Sequence, residues 1–238
     1  MRNNGLCTKE EGERLLSFTN NSGPLFIIGT VGISLFGNTT IGLLLFITHL
    51  LSSITVGICF KFWKKNKYNH TKSFRYTRHS NSNIKLNNLG EIFSKSISSS
   101  ISSVVLISGF VVFFSVIISI LNNSGFFNIC TNILKPLFNI LNIKTEYIKP
   151  ILSGLIELTN GLKLVSIIHV KKISISILIC SFLLGFGGFS ILLQVFSIIS
   201  KSDLSIKPYL YGKFLHGAFA TLYTFIFLFF LPIFNFNF

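Results

Sequence analysis

Leu15-Leu16-Ser17-Phe18-Thr19-Asn20-Asn21-Ser22-Gly23-Pro24-Leu25-Phe26 opens a run, Leu15 to Phe60, that holds no Lys, Arg, Asp or Glu over 46 positions. One continuous helix of that length would reach about 69 Å, roughly twice a bilayer core. The run must therefore break, and Phe18 to Pro24 is where the residue types allow it. Asn, Ser and Gly favour caps and turns, and Pro24 suits the first position of a new helix. Upstream, Thr8-Lys9-Glu10-Glu11 reads as a capping box, which starts a helix near Lys9. Downstream, Leu25 to Gly37 reaches only about 20 Å, too short to cross alone. Leu15 to Gly37 together suffices if its middle is unwound.

The rest of the chain has the same character. Of 238 residues, 50% are apolar and 12% charged, and Phe occurs 27 times. Soluble domains carry about 25% charge, so the composition describes a membrane protein and excludes disorder, collagen and a disulfide scaffold. After a turn at Asn38-Thr39-Thr40, Ile41 to Phe62 is an ordinary span. Ile97 to Leu121 is a second, ended by Asn122-Asn123-Ser124-Gly125. Phe126 to Ile143, with Pro136 inside it, reads as a helix lying in the interface. Ile148 to Val170 is interrupted by Glu157, Asn160-Gly161 and Lys163. It is either a strained span or a re-entrant hairpin turning near Asn160-Gly161, and the hairpin is preferred. Ser174 to Ser200 is interrupted at Gly185, Gly187 and Gly188, and Phe214 to about Phe234 is the last span. The fold expected is all-α and polytopic, with broken helices, a hairpin and inverted-repeat, transporter-like organisation. Its divisions are 1–62, 63–96, 97–125 and 126–238.

The net charge of +14 is concentrated. Lys61, Lys64, Lys65, Lys67, Lys72, Arg75, Arg78, Lys85 and Lys95 share a stretch whose only acid is Glu91. With Trp63, Tyr68, Phe74 and Tyr76 interleaved, it resembles a nucleic-acid patch. Flanking apolar spans favour a cytoplasmic loop obeying the positive-inside rule, so no nucleic-acid partner is expected. Cys7, Cys59, Cys130 and Cys180 form no CxxC pair and read as structural thiols. The first fourteen residues are polar and lack an apolar core, so no signal peptide is expected in them.

A short repeat ties the two interruptions together. Ser17-Phe18 and Gly23 recur as Ser181-Phe182 and Gly187, with Pro24 opposite Gly188, Val31 opposite Val195 and Thr30 opposite Gln194. His49 and His216 each lie in the span that follows. Paired interruptions are the sequence pointer to a repeat-built transporter with its site at the breaks. A hairpin at Ile148 to Val170 makes the copies inverted and puts Lys201, Lys207 and Lys213 on the side of the basic loop, although Lys171 and Lys172 then lie outside. A span there makes the copies parallel.

Candidate substrate-binding residues follow from the breaks. They are Thr19, Asn20, Asn21, Ser22 and Gly23 in the first, Gly187, Gly188 and Gln194 in the second, and Glu157, Thr159 and Asn160 in the interrupted segment. Unwound backbone at membrane depth must line a cavity or pack on protein, and helix N-termini suit carboxylates. The alternative is that the polar residues only cap a kinked helix. Glu157 is an intramembrane carboxylate and hence a proton-coupling candidate, alternatively a partner of Lys163. His49 and His216 suit interhelical hydrogen bonding. No metal site, cofactor, phosphate loop or nucleophile elbow is apparent, and no enzyme is expected.

At these residues the sequence resembles the sporulation integral membrane protein YlbJ family, which carries the nucleoside-recognition Gate domain. The resemblance rests on Glu13 through Phe26, Gly154 through Gly161, Gly187-Gly188 through Gln194 to Ser200-Lys201, Ile206 through Leu210 before Gly212-Lys213, and Leu215-His216-Gly217. It covers nearly the whole chain except 61–95. It implies a fold similar to concentrative nucleoside transporters. It also implies passage of a small anionic or nucleoside-like solute, with dipicolinate the associated cargo, across a membrane surrounding the forespore. The alternative is a non-transporting scaffold or accessory subunit of spore formation. Beside the bilayer and the solute, the expected partners are further copies of the chain, or a partner supplying the front half that the first repeat is expected to lack.

Overall fold

The computed structural model describes residues 7–63, 89–168, 173–200 and 202–230, and every regular element among them is helical. They are α1 (Lys9–Thr19), a π-helix (Leu25–Leu35), α2 (Thr39–Phe60), α3 (Leu89–Asn123), α4 (Phe126–Ile140), a 3-10 turn (Thr145–Tyr147), α5 (Ile148–Ile156), α6 (Leu158–Ser166), α7 (Ile173–Phe186), α8 (Gly188–Ile199) and α9 (Lys207–Phe230). Four stretches are long and apolar enough to cross a membrane: Thr39–Phe60, Leu89–Asn123, Ser174–Ile199 and Lys207–Phe230. The basic residues between Lys64 and Lys85, and also Lys171, Lys172 and Lys201, lie outside the described residues.

Local chemistry sets the boundaries. The Thr8 hydroxyl accepts from the Glu11 amide at 3.2 Å and the Glu11 carboxylate accepts from the Thr8 amide at 2.8 Å, the capping box expected for α1. The helix continues through Phe18 and Thr19, so the first break is shorter than the composition suggested and begins at Asn20. Beyond Pro24 the chain winds as a π-helix, with the Phe36 amide bonded to the Val31 carbonyl five residues back. Such wide helices are rare and recur at functional sites. Gly37, at a positive φ of 64°, turns the chain, and the Asn38 side chain caps α2 through the Thr40 and Ile41 amides. α3 begins at Leu89, ahead of the expected Ile97, and its first turns hold a Glu91–Lys95 pair at 2.5 Å. At 35 residues it reaches about 52 Å and must project beyond a bilayer core. α4, at 15 residues, is too short to cross. Its exposed Phe126, Ile129, Ile133, Leu137 and Ile140 form one apolar stripe at helical spacing, as an interfacial helix requires.

The interrupted segment is a hairpin. Gly154 and Gly161, seven residues apart, touch backbone to backbone, and Gly161 also lies against the Pro150 carbonyl. In a continuous helix the two glycines would be about 10.5 Å apart. The turn is at Glu157, in extended conformation (φ −140°, ψ 121°), and not at the expected Asn160-Gly161. Asn160 and Gly161 sit inside α6, where Gly161 permits the close crossing.

Tertiary contacts fix the relative direction of the two broken units. Arg14 of α1 donates to the Lys61 carbonyl past the end of α2, at 3.3 Å. The Ser205 amide, in the loop between α8 and α9, donates to Glu13 at 3.1 Å, and Leu204 rests on Gly12. The start of α1, the end of α2 and the α8–α9 loop therefore share one face. The first broken unit leaves that face and the second arrives at it, so the copies are inverted. This face is also the one at which α2 ends, ahead of the basic stretch of the sequence.

Helices meet through small residues, as expected where apolar burial alone cannot drive helix association. A methyl on Gly185 would lie 2.6 Å from the Gly217 Cα, and one on Gly212 would lie 2.5 Å from the Ser17 carbonyl oxygen. Gly185 therefore stays helical in α7 and serves the α7–α9 crossing rather than the break. Buried hydroxyls tie the same helices together: Thr48 to Thr224 at 2.9 Å, Thr224 to Ser181 at 2.8 Å, and Thr55 to Tyr223 at 2.7 Å.

Candidate functional site

The first break, Asn20 to Pro24, is held from two sides. From α9, the Tyr209 hydroxyl accepts from Asn20 Nδ2 at 2.7 Å and Lys213 Nζ donates to the Asn20 carbonyl at 2.6 Å. From α2, Ser53 accepts from Asn21 Nδ2 at 2.8 Å and donates to the Phe18 carbonyl at 2.9 Å. The Ser22 amide donates to His49 Nε2 at 3.3 Å. His49 and His216 lie with ring centroids 4.4 Å apart, and His216 Nε2 is 3.0 Å from the His49 carbonyl. The two repeat-related histidines thus join α2 to α9 and support the first break. No group of three or more metal-ligating side chains occurs among the described residues.

The second break centres on Gly187 and Gly188, with φ of 87° and 80°. Only glycine adopts these values without strain. A Cβ on Gly188 would meet the Gly154 carbonyl oxygen at 2.9 Å and the Leu158 nitrogen at 3.3 Å, so this break is pressed against the hairpin tip. At the tip the Glu157 carboxylate accepts from the Thr159 amide at 3.0 Å, the Asn160 amide at 2.8 Å and the Thr159 hydroxyl at 2.5 Å. It caps α6, and an anion at a helix N-terminus is stabilised by the dipole. The expected alternative, pairing with Lys163, does not form: Lys163 is exposed and Glu157 is buried.

Breaks and tip enclose a cavity of about 460 Å³. That is within the range of small-molecule sites. Asn20, Asn21, Ser22 and Gly23 line it from the first break, Gly187 and Gln194 from the second, and Glu157 and Thr159 from the tip. Three of the candidates stand apart. Thr19 is exposed at the end of α1. Asn160 turns to α3 and donates to Ser115 at 2.7 Å. Gly188 packs on the hairpin backbone. Apolar Leu106, Ile107 and Val111 of α3 close one side.

Three polar lining residues are absent from the sequence-based set, Ser103 of α3, Ser190 and Lys213. Lys213 reads in sequence as part of a polar loop. Pro208 was the signal against that, because a proline in a first turn places a helix start at Lys207. Lys213 then shares a face with Tyr209, His216 and Ala220, all buried.

Comparison with known proteins places this architecture. Residues 104–202, from within α3 to the end of the second broken unit, match the family described as nucleoside recognition, Gate. The chain is 31% identical over 235 residues to sporulation integral membrane protein YlbJ of Bacillus subtilis (strain 168). The similarity covers 94% of this chain and 57% of that relative, so the chain spans a little over half its length. No solved structure matches. The Gate match and this relative make the chain similar to a sporulation integral membrane protein over nearly all of its own length, and with four apolar helices of spanning length it is a multi-pass membrane protein.

Proposed function

We propose that the chain forms a path for a small anionic or nucleoside-like solute across a membrane that surrounds the forespore. The observation that carries this reading is the convergence of two helix breaks and a hairpin tip on one cavity, whose mainly apolar wall carries a few polar groups from the breaks and the tip. Broken backbone at membrane depth is tolerated where it lines a cavity, and repeat-built transporters place their sites there. The inverted directions of the two broken units supply the near-symmetry that alternating access needs. The N-termini of the π-helix and α8 carry no side-chain cap and offer their positive ends to an anion. Dipicolinate, with two carboxylates, fits this chemistry.

In this reading Asn20, Asn21 and Ser22 position the solute from one repeat and Gln194 with the Gly187 backbone from the other. Glu157 holds the hairpin tip in shape and is the candidate for proton coupling. The test is uptake of labelled dipicolinate by proteoliposomes holding the full chain. Saturable uptake is expected, and it is lost in Asn21→Leu although that variant still inserts. Uptake unchanged in the inserted variant would sink the site, and no uptake by the wild-type chain would sink the transport reading.

A further inference from the structure

Lys213 is a buried cation, 3% exposed, on a span-length helix and on the cavity wall. Its Nζ makes one hydrogen bond, to the carbonyl of Asn20. It forms no ion pair with any described carboxylate. Glu157, the acid of the same cavity, has its oxygens committed to the Thr159 and Asn160 amides and the Thr159 hydroxyl. The facing imidazoles, His49 and His216, bring no negative charge. A single carbonyl, at the negative end of the α1 dipole, orients an ammonium but does not neutralise it. A buried charge without a counter-charge is costly, and one at membrane depth marks a functional site by default.

We propose that Lys213 is the charge-selecting residue of this cavity. Its ammonium receives a carboxylate of the solute while its bond to Asn20 holds the first break in register. The inference rests on the cavity being the solute site and adds to that reading the group that separates an anion from a neutral isostere. Because Lys213 binds the break directly, arrival of an anion is felt at Asn20, the point where α1 ends. Lysine acts here as a point charge with three donors, so arginine can replace the charge whereas glutamine replaces only the donor to Asn20.

The experiment is equilibrium binding of two probes, pyridine-2,6-dicarboxylate and its neutral dicarboxamide, to the purified full chain in detergent. Wild type, Lys213→Gln and Lys213→Arg are compared. A charge-assisted hydrogen bond predicts a preference for the dicarboxylate of about 10- to 100-fold in the wild type. That preference collapses toward unity in Lys213→Gln and is at least partly restored in Lys213→Arg. A purely structural lysine would weaken both probes together and leave their ratio alone, and an unchanged ratio in a folded Lys213→Gln overturns the inference while sparing the solute site. Binding of neither probe by the wild-type chain overturns both.

Discussion

Removing the Glu157 side chain should unfasten the hairpin tip, and the structure sets the scale. The carboxylate holds two backbone amides and one hydroxyl at 3.0, 2.8 and 2.5 Å, in a residue only 2% exposed. Loss of a helix N-cap costs about 0.5–2 kcal/mol. Loss of a partly buried charge at a helix start costs up to about 2 kcal/mol. Donors left buried without partners cost about 1–3 kcal/mol. These contributions overlap, so Glu157→Ala should destabilise the tip by about 2–4 kcal/mol. Glu157→Gln keeps one acceptor oxygen and should lose about 1–2 kcal/mol. Hydrogen exchange at the Thr159 and Asn160 amides reads this directly. Each 1.4 kcal/mol is a factor of ten, so exchange should quicken about 5- to 30-fold in Glu157→Gln and more in Glu157→Ala. Amides in α9 should be unaffected in both. Unaltered exchange at Thr159 and Asn160 in Glu157→Ala would refute the capping role. Slowed pH response of uptake in Glu157→Gln, with exchange unaltered, would instead assign the carboxylate to proton coupling.

Other consequences are as specific. Gly185→Ala forces a methyl to within 2.6 Å of the Gly217 Cα, and overpacking of this kind costs about 1–3 kcal/mol, read as a lowered melting temperature in detergent. Gly188→Ala adds positive-φ strain to a clash with the Gly154 carbonyl, so it should lower stability and weaken solute binding together, in a paired melting and binding assay. A cysteine at Ser205 should react with a membrane-impermeant thiol reagent from the same side as one at Lys61, and a cysteine at Gly37 from the opposite side. Labelling of Ser205→Cys together with Gly37→Cys would overturn the inverted arrangement.

The first break and the capping box were legible because their determinants are local. Asn20 through Pro24 is a cluster of residues that helices reject, and Thr8 with Glu11 satisfies amides that any helix start leaves open. The second break was legible only in part. Three glycines stand within four positions, and which of them turn and which merely allow contact depends on Gly217, more than thirty residues away. The hairpin turn was misplaced for a related reason. Asn160-Gly161 is a strong local turn signal, yet the tip is fixed by Glu157 reaching forward to cap α6 and by the Gly154–Gly161 crossing. Eight of the eleven candidate residues line one cavity because both breaks lie at the same depth in inverted units. Lys213 was not a candidate because Lys201 to Lys213 reads as a short polar loop until α9 is known to start at Lys207.

The most direct test of the central claim is the reactivity of a single cysteine inside the cavity. Ser190 is buried, lines the cavity and lies in the first turn of α8. Ser190→Cys is prepared in a chain whose native Cys7, Cys59, Cys130 and Cys180 are replaced, and its alkylation rate is followed as pyridine-2,6-dicarboxylate is added. A solute seated between the two breaks predicts saturable protection, at least about tenfold once the solute exceeds ten times its Kd. An alkylation rate independent of dicarboxylate, in a chain that remains folded, would contradict the account.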